Sequence, residues 1–308
     1  MKTYMKLNLL ILGKGYVSNH LFNHLKNDFN VIIQSAKEMD YHNANTLHKF
    51  LLNNDIDTVI NCSGFTGRPN IDEAERKKEL CWDLNTTSPL RVNAICNTRN
   101  INYLHISSGC VYDGYEKVWS EEDSPNYGLF CNRASFYSKS KHAFENLSKT
   151  MDNIILRVRM PFHYESSGRN YLNKIRQYND LINFRNSKTY IPDFCEFVRN
   201  LLIKKVGKWK GQNIYNVINP GALTTQEVCD IMKEYGFHND NWKFVYLADL
   251  PIATGRSNCV LDGSKSKEIY EMRFEKDVMK ECFNKMLEKQ AEDKRIKQEI
   301  EEKYAREY

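Results

Sequence analysis

Short apolar runs alternate with stretches of helical periodicity through the first half of the chain. Residues 7–12 read as a fully buried strand, and residues 16–26 carry the one-sided apolar spacing of an amphipathic helix. The alternation continues with a strand at 30–33, a helix at 46–53, a strand at 58–61 and one long helical pattern or two at 73–96. A strand at 103–107, a helix at 136–149 and a strand at 154–158 complete it. Strands without a polar face belong to a parallel sheet covered on both sides, and the intervening helices supply the crossovers. The expected fold class is α/β, a doubly wound parallel sheet that holds ligand at the carboxyl ends of its strands.

After Pro161 the texture changes. Helical segments at 171–184, 196–204 and 225–235 mix with a short strand at 213–217. This predicts a cofactor-binding domain over 1–160 and a smaller C-terminal substrate lobe over 161–287, partly interleaved with the first. Residues 288–308 form a charge-rich run, read as a solvated helix or frayed tail, with a partner-binding helix as the alternative.

Composition adds limits. A net charge of +5 is mild and fits an anionic small-molecule ligand, but no dense Lys/Arg stripe motivates nucleic acid as a partner. Nine cysteines, an odd number with no C-x-x-C pair, argue for reduced thiols. Lys2 and Lys6 precede an apolar run, yet the run is too short for a signal peptide and ends in Gly-Lys-Gly. No stretch approaches the roughly 20 apolar residues of a membrane span. The expected location is cytoplasmic, away from any membrane.

Strand 7–12 runs into Gly13-Lys14-Gly15-Tyr16-Val17-Ser18 and then a helix. A glycine turn there lets backbone approach a pyrophosphate at the positive end of the helix; an ordinary tight turn is the plainer alternative. Gly13, Gly15, Tyr16 and Val17 are therefore candidate cofactor residues, joined by Cys62, Ser63 and Gly64 after the third strand. The second strand runs out into Gln34-Ser35-Ala36-Lys37, with no carboxylate before Glu38. A hydroxyl and a cation at Ser35 and Lys37 suit a 2′-phosphate, so NADPH is the expected cofactor, with NADH left open. A merely solvated Lys37 is the alternative.

Tyr137 and Lys141 stand four apart, on one face of a helix, and Ser108 ends the fourth strand. Together they make the Ser/Tyr/Lys set of a carbonyl reductase. A phenol with a free pKa near ~10 is a poor acid–base at neutral pH, so Lys141 would tune it and hold the cofactor ribose. Ser108 would hydrogen-bond the ketone oxygen.

The chain resembles the extended short-chain dehydrogenase/reductases, whose cofactor domain is a Rossmann fold. Within them it is similar to the bifunctional UDP-4-keto-6-deoxy-glucose 3,5-epimerase/4-reductases of UDP-rhamnose synthesis. The resemblance is carried by Thr66-Gly67-Arg68-Pro69-Asn70, Ser108-Gly109-Cys110, Glu121-Glu122-Asp123-Ser124-Pro125-Asn126 and Ser135-Phe136-Tyr137-Ser138-Lys139. It continues in Leu156-Arg157-Val158-Arg159-Met160-Pro161, Arg169-Asn170-Tyr171, Asn219-Pro220-Gly221 and Arg256-Ser257-Asn258. The glycine turn is one residue shorter than the usual form, and residues 129–134 are extra. The resemblance implies Cys110 and Lys174 as the epimerisation pair, although a small buried thiol and a helix-surface lysine would look the same in sequence.

Substrate contacts implied by chemistry and resemblance together are Thr66, Arg68, Asn70, Asn85, Asn170 and Arg256, for a nucleotide-sugar substrate. A structural helix role for Asn85 is nearly as well motivated. Open alternatives are a 4-reductase resembling dTDP-4-dehydrorhamnose reductase, a reductase or epimerase of another nucleotide sugar, and a cofactor-binding regulatory subunit. UDP and dTDP are not separated by the sequence, and a homodimer is suggested only by fold relatives. His20 and His24 stand at helical spacing but lack accompanying ligands, so no metal is expected.

Overall fold

The computed structural model of the chain describes residues 6–250, 252 and 254–307. Residues 1–5, part of the signal-like start, and Tyr308, the end of the charged run, lie outside the described residues. The first half comprises β1 (Asn8–Leu12), α1 (Tyr16–Leu25), β2 (Asn30–Gln34), α2 (Ala44–Asn53), β3 (Thr58–Asn61), α3 (Glu73–Arg76) and α4 (Lys78–Trp82). It continues with α5 (Ser88–Thr98), β4 (Asn102–Ser108), β5 (Gly114–Trp119), α6 (Phe136–Leu147) and β6 (Asn153–Val158). The second half comprises α7 (Tyr171–Gln177), β7 (Asp180–Ile182), β8 (Arg185–Lys188), α8 (Ile191–Lys204) and β9 (Gln212–Asn216). β10 (Asn219–Thr224), α9 (Thr225–Glu234), β11 (Lys243–Val245), β12 (Cys259–Leu261) and α10 (Glu275–Glu307) follow.

The five strands expected from the apolar runs of the first half form one parallel sheet together with β9, a strand expected in the smaller lobe, in the order β2-β1-β3-β4-β6-β9. Alternation along β1 shows why its strand has no polar face. Leu9 and Ile11 enter a core with Leu21 and Leu25 of α1 and Phe194, Val198 and Leu201 of α8. Leu10 and Leu12 enter the opposite core with Leu47, Leu51, Val92 and Phe144 of α2, α5 and α6. Helices therefore cover both faces, as a parallel sheet requires. Strand order reverses between β1 and β3, which opens a crevice at their carboxyl ends.

A second core gathers Phe162, Leu172, Ile175, Leu181, Val228, Met279 and Phe283 around α7, α9 and the start of α10. It is bordered by two-stranded pairings of β8 with β10 and β7 with β11. A buried ion pair, Lys188 Nζ to Glu275 Oε1 at 2.8 Å, pins β8 to α10. Residues from the second half also return to the main sheet, since β9 forms its edge and α8 packs on α1.

Three expected helices differ in extent. The helix expected over 171–184 stops at Gln177, because residues 180–182 pair as β7 with β11. The helix expected from 196 starts at Ile191, with Pro192 in its first turn, where a missing N–H costs nothing. The pattern over 73–96 is three helices, with a π-helical turn at Asp83–Thr87 between α4 and α5. The charged run at the end is the continuation of α10, residues 287–302 all being exposed. Pairs such as Arg295–Glu299 and Lys297–Glu301 support it at i,i+4 spacing. No helix of the described residues is long and apolar enough to cross a membrane.

Candidate active site

The crevice begins at the glycine turn. Gly13 has φ +96°, a conformation glycine adopts freely, and its N–H donates to Gln34 O at 2.8 Å, tying the turn to β2. Gly15 is the N-cap of α1 and has no side chain to offer the first-turn N–H groups; Ser18 Oγ accepts from the Gly15 N–H at 2.7 Å, and the first turn holds no acid. A methyl built on Gly15 would meet nothing nearer than Ser18 Oγ at 4.0 Å. A helix N-terminus with a glycine at its cap, no acid in its first turn and open space beside it is the cradle a pyrophosphate needs, so these residues fit a dinucleotide. Tyr16 and Val17 pack partly buried against the core below.

Across the crevice, Ser63 donates through its N–H to Asn61 Oδ1 at 2.9 Å, and its hydroxyl donates to the same oxygen at 2.5 Å. Cys62 is half-buried and Gly64 is exposed. A methyl on Gly64 would stand 3.2 Å from Lys141 Nζ and 2.9 Å from Asn85 Oδ1. Asn85 itself is fully buried in the π-helical turn. Its Oδ1 accepts from Phe65 N–H, and its Nδ2 donates to Phe65 O, both at 2.8 Å, and to Ser140 Oγ at 3.0 Å. The expected substrate contact at Asn85 is thus corrected: the amide is spent on clamping the 62–66 loop to α6.

Ser108 ends β4, and its hydroxyl accepts from Cys110 N–H at 3.2 Å. That strand end is anchored below by Ser107 Oγ, which donates to Glu145 Oε1 at 2.6 Å, while Glu145 pairs with buried Arg157 at 2.7 Å. Tyr137 lies in the first turn of α6, capped by Ser135, and its phenol lies near enough to the Ser108 hydroxyl to feel it. Burial, and after it neighbouring Cys110, push the phenol well above its ordinary value; the Ser108 hydroxyl and the charge of Arg169 work in the opposite direction. Tyr137 therefore stays protonated at neutral pH, as a proton donor must. Lys141, one turn on, is buried, and burial lowers its ammonium to about 8. Its Nζ lies 3.4 Å from Ile106 O.

Cys110 sits half-buried beside these groups, its sulfur 3.6 Å from Nη1 of Arg159. Arg159 is buried and also donates to Ser257 and Asn186. Phe65, Ile71 and Phe136 complete the apolar surround of Tyr137. The loop opposite is built on Gly67, φ +73°, followed by a cis Arg68–Pro69 bond, and leaves Arg68 exposed. Arg169 reaches over it and donates to Gly67 O at 2.7 Å. Its charge acts on both Tyr137 and Lys174, and Lys174 is lowered by burial first and by Arg169 second.

The remaining expected substrate residues divide. Thr66 is half-buried within the loop, and Asn70 Oδ1 accepts from Asp72 N–H at 2.9 Å. Arg256 forms a two-pronged pair with Asp72 at 2.8 and 3.0 Å, which brings the late segment onto the same loop. Asn170 is corrected: it is buried, caps α7 through Leu172 N–H and donates to His163 O and Glu165 O, so no polar atom faces a ligand. Lys37 is exposed, and the Ser35 hydroxyl donates to Glu38 Oε2 at 2.9 Å.

Arg159, Arg169 and Glu38 escaped the sequence reading. The two arginines lay inside quoted motifs, and an arginine on an otherwise apolar strand end, as in Leu156-Arg157-Val158-Arg159, was the usable signal. His20 does not pair with His24, whose Nε2 faces Glu196 at 3.2 Å. It packs on His163, ring centroids 4.0 Å apart, with Glu165 near enough that the three donor atoms fall within 4.8 Å. Burial first, then His20, Lys285 and Lys289, lower the His163 imidazole, and Lys289 Nζ lies 3.8 Å from Glu165 Oε1.

The family model described as the RmlD substrate-binding domain matches residues 5–289. The chain is 32% identical over 231 residues to a trifunctional UDP-glucose 4,6-dehydratase/UDP-4-keto-6-deoxy-D-glucose 3,5-epimerase/UDP-4-keto-L-rhamnose-reductase of Arabidopsis thaliana. That match covers 71% of the chain and 33% of the relative, so the chain spans about a third of the trifunctional proteins. It is 30% identical to the bifunctional dTDP-4-dehydrorhamnose 3,5-epimerase/dTDP-4-dehydrorhamnose reductase of Arabidopsis thaliana, covering 68% of the chain and 70% of that protein. Among solved structures, the L780 UDP-rhamnose synthase of Acanthamoeba polyphaga mimivirus superimposes with a TM-score of 0.81 at 23% identity. It covers 91% of this chain and 100% of the other, which establishes the fold.

Proposed function

Because the chain belongs to the RmlD substrate-binding-domain family, we propose that it reduces C4 of a nucleoside-diphosphate 4-keto-6-deoxy sugar and epimerises C3 and C5. The product is an NDP-L-rhamnose, with UDP the favoured nucleotide. One observation carries the reading: Ser108, Cys110 and Tyr137 lie together with Lys141 one helical turn from Tyr137, and the charge of Arg169 reaches Tyr137, Arg68 and Lys174.

A C4 ketone acidifies the hydrogens on C3 and C5, because the carbanion delocalises onto O4. Ser108 and Tyr137 supply the two donors that stabilise that oxygen. Lys174, with its ammonium lowered by burial and by Arg169, loses its proton more readily than a free lysine and serves as base. Cys110 returns a proton from the other face of the ring. The cofactor, when bound, supplies a hydride to C4. Tyr137, kept protonated by burial, then donates to O4, and Lys141 holds the ribose and stabilises the phenolate left behind. The residues that would hold the cofactor are Gly13, Gly15, Tyr16, Val17, Cys62, Ser63, Gly64 and Lys141. Whether it is NADPH or NADH turns on the end of β2, where the Ser35 and Lys37 reading for NADPH meets the carboxylate of Glu38.

The test is turnover of UDP-4-keto-6-deoxy-glucose with a reduced nicotinamide cofactor in deuterium oxide, followed by mass spectrometry and NMR. Deuterium at both C3 and C5 of a rhamnose product is the expected result, and Cys110→Ser should lose it. Reduction with no deuterium at either carbon would reduce the assignment to a 4-reductase. No turnover with either cofactor would sink it.

A further inference from the structure

At the end of β2 the carboxylate of Glu38 turns back over the strand. Its Oε2 accepts from the backbone N–H and the hydroxyl of Ser35, both at 2.9 Å, and its Oε1 accepts from Lys14 Nζ at 2.5 Å. Lys14 belongs to the glycine turn, so one carboxylate ties the end of β2 to the pyrophosphate cradle. We infer that Glu38 reads the adenosine ribose and makes the chain select NADH over NADPH. This rests on the reading of the crevice as a dinucleotide site.

The argument is one of acceptor capacity and charge. An ionised carboxylate offers about four acceptor positions. Ser35 takes two on Oε2 and Lys14 takes one on Oε1, which leaves a position on Oε1 for a ribose hydroxyl. An acid at the end of the second strand, roughly 20 residues past the glycine turn, is where a doubly wound sheet holds the ribose diol. A 2′-phosphate would instead bring about −1.5 to −2 of charge against the same oxygens. It would also have to draw Ser35 and Lys14 away from Glu38, breaking charge-assisted bonds. Lys37, the cation that would compensate, is exposed and joins no ion pair among the described residues. A serine and a lysine that outline a phosphate site are therefore closed by an acid.

Equilibrium binding of NADH and NADPH to the purified full chain, followed by calorimetry with no sugar present, tests this. Wild type should bind NADH about tenfold more tightly than NADPH or better, the scale of one hydrogen bond to a charged group. Glu38→Gln keeps the shape, frees Lys14 and should shift the ratio by about tenfold or more toward NADPH. Glu38→Arg should invert the preference. Lys14→Met placed in the Glu38→Gln background should remove the gain in NADPH affinity. NADPH binding as tight as NADH in the wild type, or a ratio indifferent to Glu38→Gln, overturns the inference and leaves the reductase assignment standing. Failure of both dinucleotides to bind removes both.

Discussion

Gly64→Ala isolates the contact between the cofactor loop and the lysine of the site. Gly64 lies outside the left-handed region, so alanine brings no backbone strain, only a methyl group. That methyl would stand 2.9 Å from Asn85 Oδ1, roughly half an ångström inside ordinary contact, and 3.2 Å from Lys141 Nζ. Asn85 cannot give way easily, because both ends of its amide are bonded to the Phe65 backbone. The lysine end is the softer neighbour, and the loop and Lys141 must separate. Overpacking of this kind costs about 1–3 kcal/mol. At about 2–4 °C per kcal/mol for a chain somewhat smaller than this one, the melting temperature should fall by a few degrees. Misplacing a positioned group by a fraction of an ångström to about 1 Å costs up to about 100-fold in rate. We therefore expect kcat to drop about ten- to a hundredfold while most of the folded protein survives. Steady-state loss of the nicotinamide absorbance at 340 nm and a thermal melt measure the two effects. Gly168→Ala, at an exposed glycine with nothing within 4 Å, should change neither. Wild-type kcat and melting temperature in Gly64→Ala would refute the packing argument.

Further outcomes follow from the same geometry. Since burial lowers the Lys141 ammonium to about 8, kcat should fall as pH rises through that value, and a profile flat to pH 10 would exclude Lys141 as the group that must stay charged. The same shift lets the native state shed its proton before the unfolded chain does, so this lysine's burial penalty should fade between about pH 8 and the ordinary lysine range. Glu145→Gln leaves the Arg157 guanidinium, 2% exposed, without its counter-charge, and should cost about 3–5 kcal/mol in denaturant unfolding. A loss under about 1 kcal/mol would mean the strand end is held otherwise. Arg169→Met should raise KM for the nucleotide sugar about tenfold or more, and an unchanged KM would detach Arg169 from substrate binding.

The strands and their catalytic ends were legible because each signal was local. Five apolar runs of the first half can form a parallel sheet only if helices cover both faces, and Leu9 and Leu10 enter opposite cores as that requires. Helical spacing alone brought Tyr137 and Lys141 to one side, and the end of an apolar strand marked Ser108, which is buried there. The asparagines were illegible for a physical reason. Asn85 and Asn170 each looked like a ligand-facing amide, yet a buried amide is best satisfied by the backbone N–H and C=O groups of a loop or helix end. Residue type does not say which partner wins. Glu38 was missed in the same way: the sequence shows an acid three positions beyond Ser35, but not that its carboxylate returns to Ser35 and Lys14.

Charge balance separates the cations that hold the fold from those that await a ligand. Arg157 is matched by Glu145, Lys188 by Glu275, Arg256 by Asp72 and Lys14 by Glu38. Among the described residues, Arg68, Arg169 and Lys174 have no acidic partner in an ion pair, and Arg169 and Lys174 are half-buried. Arg68 and Lys174 each act unfavourably on Arg169 or feel it in return. Repelling cations brought partly out of water are costly unless an anion joins them. Packing does not require the arrangement, since Arg169 bonds only to Gly67 O at its visible end. A diphosphate bound across these three would relieve the repulsion and carry the sugar toward Tyr137, whose phenol already lies within the field of Arg169. On the proposed reading, relief of that repulsion would be one source of affinity for the nucleotide sugar.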